Sequence, residues 1–212
     1  LLAIVVTILP IVALVGASNL STAIIILGIA VILIFVASPK YAQFFGMAFL
    51  GAGFMTIFLA LESYRLERLK IWRHPENYEK GYQTLQGLYA IGSGGFFGKG
   101  LGNSAQKMVI PEAQNDYILA VICEELGVFG AIMVLLVFGL LLYRLLFIAQ
   151  NASDMYGSLI VTGIFAHIAL QVLLNVMVVL SVIPTTGITL PFISYGGTSV
   201  LFLMIEMGVA LG

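Results

Sequence analysis

Long apolar segments determine what this chain can fold into. The first charged residue is Lys40, and the whole sequence is 61% hydrophobic and only 9% charged, with a mean hydropathy of +1.11. In soluble domains about a quarter of the residues are charged. A helix of about 20 apolar residues is long enough to cross the hydrocarbon core of a bilayer. The sequence therefore predicts an all-α polytopic membrane protein.

Six membrane-spanning helices are predicted from the apolar runs and the polar turns between them. Asn19 or Ser21 is expected to cap the second of these helices. Both ends of the sequence fall inside apolar runs, so we expect a fragment of a longer protein, folded as a single membrane domain. The predicted spans are residues 1–17, 20–37, 41–61, about 116–149, 157–183 and 199–212.

Composition also excludes several classes of protein. The single cysteine, Cys123, rules out an internal disulfide framework and a metal site built from several cysteines. A formal net charge of -1 gives no reason to expect a nucleic-acid partner.

One long polar interval, residues 62–116, separates the third span from the fourth. It holds seven of the nine basic residues and six of the ten acidic residues of the chain. Its aromatic residues, among them Tyr82, Tyr89, Phe96 and Phe97, are too numerous for a disordered linker. We predict that this interval is a folded cap on one membrane face. A second, shorter loop at residues 184–197 is predicted on the same face, because two helices separate the two segments.

The side of the membrane on which the cap lies is not decided by its charge. An excess of Lys and Arg favours the cytoplasm by the positive-inside tendency. That tendency is weak for long folded loops, so the orientation stays open at the level of the residues.

Asp116 lies where the cap gives way to the fourth span, and its position has two interpretations. A carboxylate at that boundary is partly desolvated yet reachable from water, as a general base requires. Alternatively, Asn115 caps the helix and Asp116 in the first turn complements the helix dipole, which would lower its pKa. Position alone leaves both interpretations open.

Other polar residues lie within the apolar spans. At about 100° per residue, Glu124 would lie about 80° from Asp116 and Glu125 would point the other way, so at most one glutamate joins Asp116 in a cavity. The stripe of His167, Gln171 and Asn175 suits hydrogen bonds between helices or a path for a substrate or ion. A charged Glu206 within a span would cost free energy unless it is paired or hydrated, so this residue could line a cavity.

The glycine-rich segment, residues 91–102, has the composition of a phosphate cradle. Its backbone N–H groups and Lys99 could face an anion. The spacing does not match a nucleotide-binding P-loop, because no Ser or Thr follows Lys99.

Four motifs, taken together, are far more specific. They are GYQTLQGLYAIGSGGFFGKG at 81–100, IPEAQNDY at 110–117, EELG at 124–127 and PTTGITLPFISYGG at 184–197. In this order they resemble the SEDS family of shape, elongation, division and sporulation proteins. The phrase YQTLQ, with PEA before the aspartate, resembles the FtsW and SpoVE branch more than the RodA branch. One departure is Ser18-Asn-Leu20, where many members carry Pro-Asp-Leu.

The resemblance implies a ten-helix peptidoglycan glycosyltransferase that polymerises lipid II into glycan strands and releases undecaprenyl diphosphate. It implies work in cell division or sporulation with a class B penicillin-binding transpeptidase and other division proteins. The place would be the bacterial inner membrane, as a multi-pass protein with its active site outward, and this chain would form roughly the C-terminal half.

The resemblance also assigns residues. The catalytic aspartate of the family falls on Asp116. Lys99, Arg65 and Arg68 are candidates to stabilise the departing diphosphate, or they form a solvated rim or contact lipid headgroups. A divalent cation could share the diphosphate charge, although no dedicated ligand cluster or other cofactor site is visible. The remaining candidates for substrate contact are Gln83, Glu112, Ser194 and Tyr195.

Two other functions stay open. A lipid II flippase would also use apolar helices, a polar stripe and buried acids, whereas a non-catalytic division scaffold would need none of the candidate site residues. The folded cap and the acid at its exit favour the enzyme.

Overall fold

The computed structural model describes residues 2–37 and 63–212, together with residues 45, 46, 49 and 53. For residues 2–6 and 63–66 only the backbone is described. The predicted third span, residues 41–61, lies outside the described residues except for those four isolated positions.

Helices form the framework of the described chain, which contains no strand. Three short 3₁₀ helices, at Pro75–Asn77, Glu79–Gly81 and Gln106–Met108, lie in the polar interval. The α-helices are α1 (Leu2–Ser18), α2 (Leu20–Ala37), α3 (Ser63–Arg73), α4 (Tyr82–Gly94), α5 (Ile118–Gln150), α6 (Met155–Val179) and α7 (Gly197–Leu211).

Three of these helices, α2, α5 and α6, are long and apolar enough to cross a membrane. Shorter apolar helices lie at Thr7–Ser18 in α1 and in α7. The all-α polytopic membrane class is therefore confirmed, and the count of six spans stays a prediction. Residues 62–116 contain α3, α4 and the 3₁₀ turns, and the folded cap on one membrane face stays a prediction.

The helix starts test two capping predictions. The Thr22 N–H donates to Oδ1 of Asn19 at 3.2 Å, so Asn19 caps α2 as predicted. The start of α5 differs from the prediction, because residues 111–117 form turns and the helix begins at Ile118. Asn115 therefore does not cap α5 and Asp116 does not lie in its first turn, and the angle of about 80° to Glu124, which assumed one continuous helix, does not apply.

The chain divides into two compact units. One comprises the described residues up to 63 together with residues 142–170 and 205–212, and the other comprises residues 64–141 and 171–204. The single membrane domain stays a prediction. The second unit contains most of the cap and the whole 184–197 loop.

The first unit contains a polar pair inside apolar helices. Nδ1 of His167 in α6 lies 2.9 and 3.0 Å from the two carboxylate oxygens of Glu206 in α7. A polar group within a span needs a partner because lipid offers none. His167 and Glu206 are therefore each other's partners, a pairing that the sequence alone did not indicate.

In the second unit, α5 is interrupted at Gly127, whose φ of 71° and ψ of -173° only glycine adopts readily. A break of this kind leaves backbone donors and acceptors without helical partners. The glycine-rich segment supplies hydrogen-bond partners for four of these groups. The four bonds run from the N–H groups of Lys99, Gly100, Val128 and Phe129 to the carbonyls of Glu124, Glu125, Gly95 and Phe96, at 2.9, 2.9, 3.0 and 3.1 Å.

This pairing changes the interpretation of the glycine-rich segment. The N–H groups of Lys99 and Gly100 donate to α5, and that of Gly98 donates to the Gly94 carbonyl at 2.9 Å. These donors therefore do not face an anion. The phosphate-cradle hypothesis is wrong for them, and the segment instead joins the cap to the broken helix.

Candidate active site

Asp116 lies in the last turn of the cap, two residues before α5 begins, and its side chain is half-buried. Nε2 of Gln83, in α4, donates to Oδ1 of Asp116 at 3.4 Å and to the Pro111 carbonyl at 3.0 Å. The side chain of Asn115 donates to the Glu112 carboxylate. The structure thus brings Asp116, Gln83 and Glu112 together.

The surroundings of Asp116 shift its acidity. Burial raises the pKa of the carboxyl above its ordinary value, and the negative charge of Glu112 raises it further. Hydrogen bonds from its own backbone N–H and from Gln83 lower the pKa, but desolvation is the larger effect. A higher pKa makes a carboxylate a stronger base, as general base catalysis near neutral pH requires.

Tyr117, the next residue, holds the junction between α4 and α5. Its side chain is 0% exposed and its hydroxyl lies 3.4 Å from Oγ1 of Thr84. A Cβ placed on Gly87 would lie 2.6 Å from the Tyr117 ring. The absence of a side chain at Gly87 therefore lets the ring pack directly on α4, which fixes the start of α5 beside Asp116.

The backbone around Asp116 is held from the other side by the 184–197 loop and the end of α6. Three consecutive carbonyls, at 114, 115 and 116, each accept one hydrogen bond. The donors are the Tyr195 N–H, Oγ of Ser194 and Nδ2 of Asn175, at 2.8, 2.6 and 2.8 Å.

A cleft of about 520 Å³ opens where the two segments meet. Gln114 and Ile118, which flank Asp116 in the sequence, line this cleft, whereas Asp116 itself does not, and the lining is part polar and part apolar. Such a surface suits an amphipathic ligand. The other lining residues are Ile193, Ser194, Tyr195, Gly196, Gly197 and Val200.

Ser194 and Tyr195, both predicted to contact substrate, have different surroundings. Ser194 is 7% exposed, and its hydroxyl accepts from the Leu190 N–H at 2.7 Å besides donating to Asn115. Tyr195 is 75% exposed at the cleft. The Ser194 hydroxyl is therefore engaged in hydrogen bonds to main-chain groups, whereas the Tyr195 side chain is exposed at the cleft.

The candidate cations are not gathered at Asp116. Nζ of Lys99 lies 2.7 Å from Glu124 in α5, and Nη1 of Arg68 donates to the Thr185 carbonyl at 3.1 Å. The side chain of Arg65 lies outside the described residues. Residues 2–37 and 63–212 contain no group of three His, Cys, Asp or Glu side chains arranged to hold a metal ion.

Sequence reasoning missed the role of Asn175. The residue was visible only as the last member of a polar stripe, and the stripe is not a single functional unit. His167 pairs with Glu206, Asn175 binds backbone carbonyls, and Oε1 of Gln171 has no hydrogen-bond partner within the described chain.

Apolar spans, a folded cap and a half-buried carboxylate at the cap's exit define a polytopic membrane protein with a candidate catalytic acid at the membrane face. The family model described as a cell cycle protein, covering FtsW, RodA and SpoVE, matches residues 1–211. The chain belongs to this family, as the four motifs predicted.

Curated relatives match most of the chain. Stage V sporulation protein E of Bacillus subtilis is 43% identical over 197 residues, which cover 91% of this chain and 54% of the relative. A protein of Coxiella burnetii named probable peptidoglycan glycosyltransferase FtsW is 40% identical over 199 residues, with the same two coverages. The chain thus spans about half the length of these relatives.

Two solved structures share the fold. One, described as a peptidoglycan synthase complex that coordinates polymerization and crosslinking, has a TM-score of 0.80 at 27% identity and covers 98% of this chain and 59% of that chain. The other is a mutant of the rod shape determining protein RodA of Thermus thermophilus, with a TM-score of 0.65 at 25% identity over 99% of this chain and 54% of that chain.

Proposed function

We propose that this chain is the catalytic part of a peptidoglycan glycosyltransferase that polymerises lipid II into glycan strands. Relatives that carry the name peptidoglycan glycosyltransferase, and likeness to a chain of a peptidoglycan synthase complex, support this activity. The observation that carries the proposal is the half-buried Asp116, whose pKa is raised where the cap meets the membrane helix.

In the proposed reaction, Asp116 is the general base. It accepts the proton of the acceptor hydroxyl while that oxygen attacks the anomeric carbon of the lipid-diphosphate donor. The new glycosidic bond forms as the bond to the diphosphate oxygen breaks, and undecaprenyl diphosphate leaves with the electron pair. The cleft that Tyr195 lines would receive the substrates, and Gln83 and Glu112, which interact with Asp116, are the further proposed contacts.

Positive charge must meet the departing diphosphate. Lys99 is paired with Glu124, and Arg68 donates to the Thr185 carbonyl at the start of the 184–197 loop, and both stay candidates for this role. Arg65 and a divalent cation held by the diphosphate oxygens complete the proposal.

The proposed setting is the bacterial inner membrane, with the cap and Asp116 facing outward. The proposed partners are a class B penicillin-binding transpeptidase and other proteins of division or sporulation. The likeness to a synthase complex that couples polymerization with crosslinking supports the transpeptidase.

Asp116→Asn tests the proposal, because it keeps nearly the same volume and removes the proton acceptor. Polymerisation of lipid II by the full-length protein, purified with its transpeptidase, should fall by about 10² to 10⁴-fold. Asp154→Asn is the matched control. This exposed aspartate accepts a hydrogen bond from the Gly157 N–H in the α5–α6 turn, and the change should leave the rate unaltered.

The same variants distinguish the enzyme from a flippase. If Asp116→Asn left polymerisation in detergent intact but slowed lipid II translocation across vesicles, the catalytic assignment would be lost. If neither activity changed at normal protein level, a scaffold role would be favoured.

A further inference from the structure

Three donors from distant parts of the chain hold the backbone on which Asp116 sits. We propose that Asn175 and Ser194 are positioning residues for Asp116, which they orient through the main chain. The inference rests on the proposed role of Asp116 as general base.

Asn175 is the central donor of the three. It is 0% exposed in α6, four residues before that helix ends at Val179. Its single Nδ2 atom donates to two carbonyls, those of Asp116 at 2.8 Å and of Ile188 at 2.7 Å. One side-chain amide therefore ties the exit of the cap to the 184–197 loop.

Ser194 adds an independent link between the same two segments. Its hydroxyl donates to the Asn115 carbonyl at 2.6 Å and accepts from the Leu190 N–H at 2.7 Å. Because it both donates and accepts, the hydroxyl fixes the loop and the cap exit together. The Tyr195 N–H completes the row at Gln114, at 2.8 Å.

The segment that carries Asp116 depends on these outside donors. Residues 111–117 are turns, and they lie before the regular hydrogen bonds of α5 begin. Glu112 in this segment and Phe192 in the facing loop both have left-handed backbone, with φ of 55° and 62°. Such conformations are uncommon outside glycine and persist where surrounding contacts enforce them.

A general base must be held close to its productive geometry, and a displacement of about 1 Å can reduce the rate by about 10²-fold. The side chain of Asp116 follows its backbone. Loss of the donor at the carbonyl of the same residue should therefore alter the rate of the chemical step more than the binding of substrate.

The test uses Asn175→Leu, which keeps a similar size and removes both N–H groups, in the full-length protein with its transpeptidase. We expect kcat for lipid II polymerisation to fall by about 10- to 100-fold while KM changes by less than about threefold. Thr162→Val is the control. Thr162 is buried in the same helix, belongs to the first unit and donates to the Ser158 carbonyl at 2.7 Å within its own helix, so kcat should be unchanged.

Ser194 supplies the second pair of variants. Ser194→Ala removes the hydroxyl and should lower kcat in the same way, whereas Ser194→Thr keeps a hydroxyl and should retain most of the rate. If Asn175→Leu does not accumulate in the membrane, the kcat values of Ser194→Ala and Ser194→Thr alone test the positioning role.

The outcomes separate this inference from the proposed function. If Asp116→Asn abolishes polymerisation but Asn175→Leu and Ser194→Ala keep wild-type kcat, the positioning role is wrong and the base remains. Equal losses for Ser194→Ala and Ser194→Thr, or a loss confined to KM, would also overturn it. Full activity of Asp116→Asn would instead remove the proposed base itself.

Discussion

The ammonium nitrogen of Lys99 lies 2.7 Å from Oε1 of Glu124, a carboxylate that is 0% exposed within apolar helix α5. Ser93 donates to the same oxygen at 3.2 Å, and Ser104 and the Gln106 N–H donate to the other at 2.6 and 3.1 Å. Both carboxylate oxygens are thus satisfied by the cap, and Lys99 is tied to the broken helix.

Lys99→Met should therefore act on folding before it acts on chemistry. It leaves Glu124 as a buried charge without its ion-pair partner, a change that costs about 3–5 kcal/mol in well-buried pairs. Because Lys99 is itself 39% exposed, we expect the lower part of that range. The measurement is the Tm of the purified protein, with the exposed Lys70→Met as control. A lower kcat with an unchanged Tm would instead favour the diphosphate role.

Gly127→Ala should destabilise the protein strongly. A Cβ at this position would lie 2.3 Å from the Phe96 carbonyl oxygen and 2.4 Å from the Gly98 nitrogen, on a backbone with φ of 71°. Strain and overpacking together should cost about 2–5 kcal/mol. The loss is measured as a lower Tm or a lower yield of folded protein.

Gly139→Ala is the control for this change, because it lies in the same helix and its Cβ would meet no atom within 4 Å. Alanine favours a helix over glycine by about 1 kcal/mol, so this variant should be neutral or slightly more stable. Similar losses for both variants would mean that the break at Gly127 is not needed.

The apolar runs predicted the long described helices but neither the cap helices α3 and α4 nor the break in α5. Residues 20–37 were assigned to one span, and α2 covers Leu20–Ala37. The break at Gly127 gave no such signal, because glycine is common within membrane helices. The partners that satisfy it come from a segment about 30 residues earlier, a distance that no local pattern encodes.

The candidate site was predictable only in part, because some of its contacts join residues that are distant in the sequence. The aspartate at the cap exit was evident from the sequence, since a charged residue at the end of a polar interval stands out. The role of Asn175 depends on the carbonyls of residues 116 and 188, which are 59 and 13 positions away. Helical spacing identified the residue as polar and inward but could not name its partners.

The pH dependence of polymerisation tests the environment of Asp116. A general base must be deprotonated, so the rate is lost as the pH falls through its pKa, and burial places that loss above the ordinary aspartate range. Gln83→Met removes a hydrogen bond that lowers the pKa, so the acid limb of kcat/KM should move to higher pH. Glu112→Gln removes a charge that raises it, so the limb should move to lower pH.

The opposite directions make these two variants controls for each other. A general loss of activity would lower kcat/KM at every pH without moving the limb. Movement of both variants in one direction, or of neither, would mean that the limb belongs to another group.

The orientation of the cap can be measured by labelling in intact cells. The cap and the 184–197 loop are separated by two helices, α5 and α6, whereas the α5–α6 turn lies one crossing away from each. In a Cys123→Ala background, Lys80→Cys and Tyr195→Cys should react with an impermeant maleimide, because both side chains are exposed and the proposed active site faces outward. Ser153→Cys, exposed in the turn, should react only after the membrane is opened. Labelling of position 153 alone in intact cells would place the cap in the cytoplasm, as its Lys and Arg content favours, and would leave Asp116 on the wrong side for glycan synthesis.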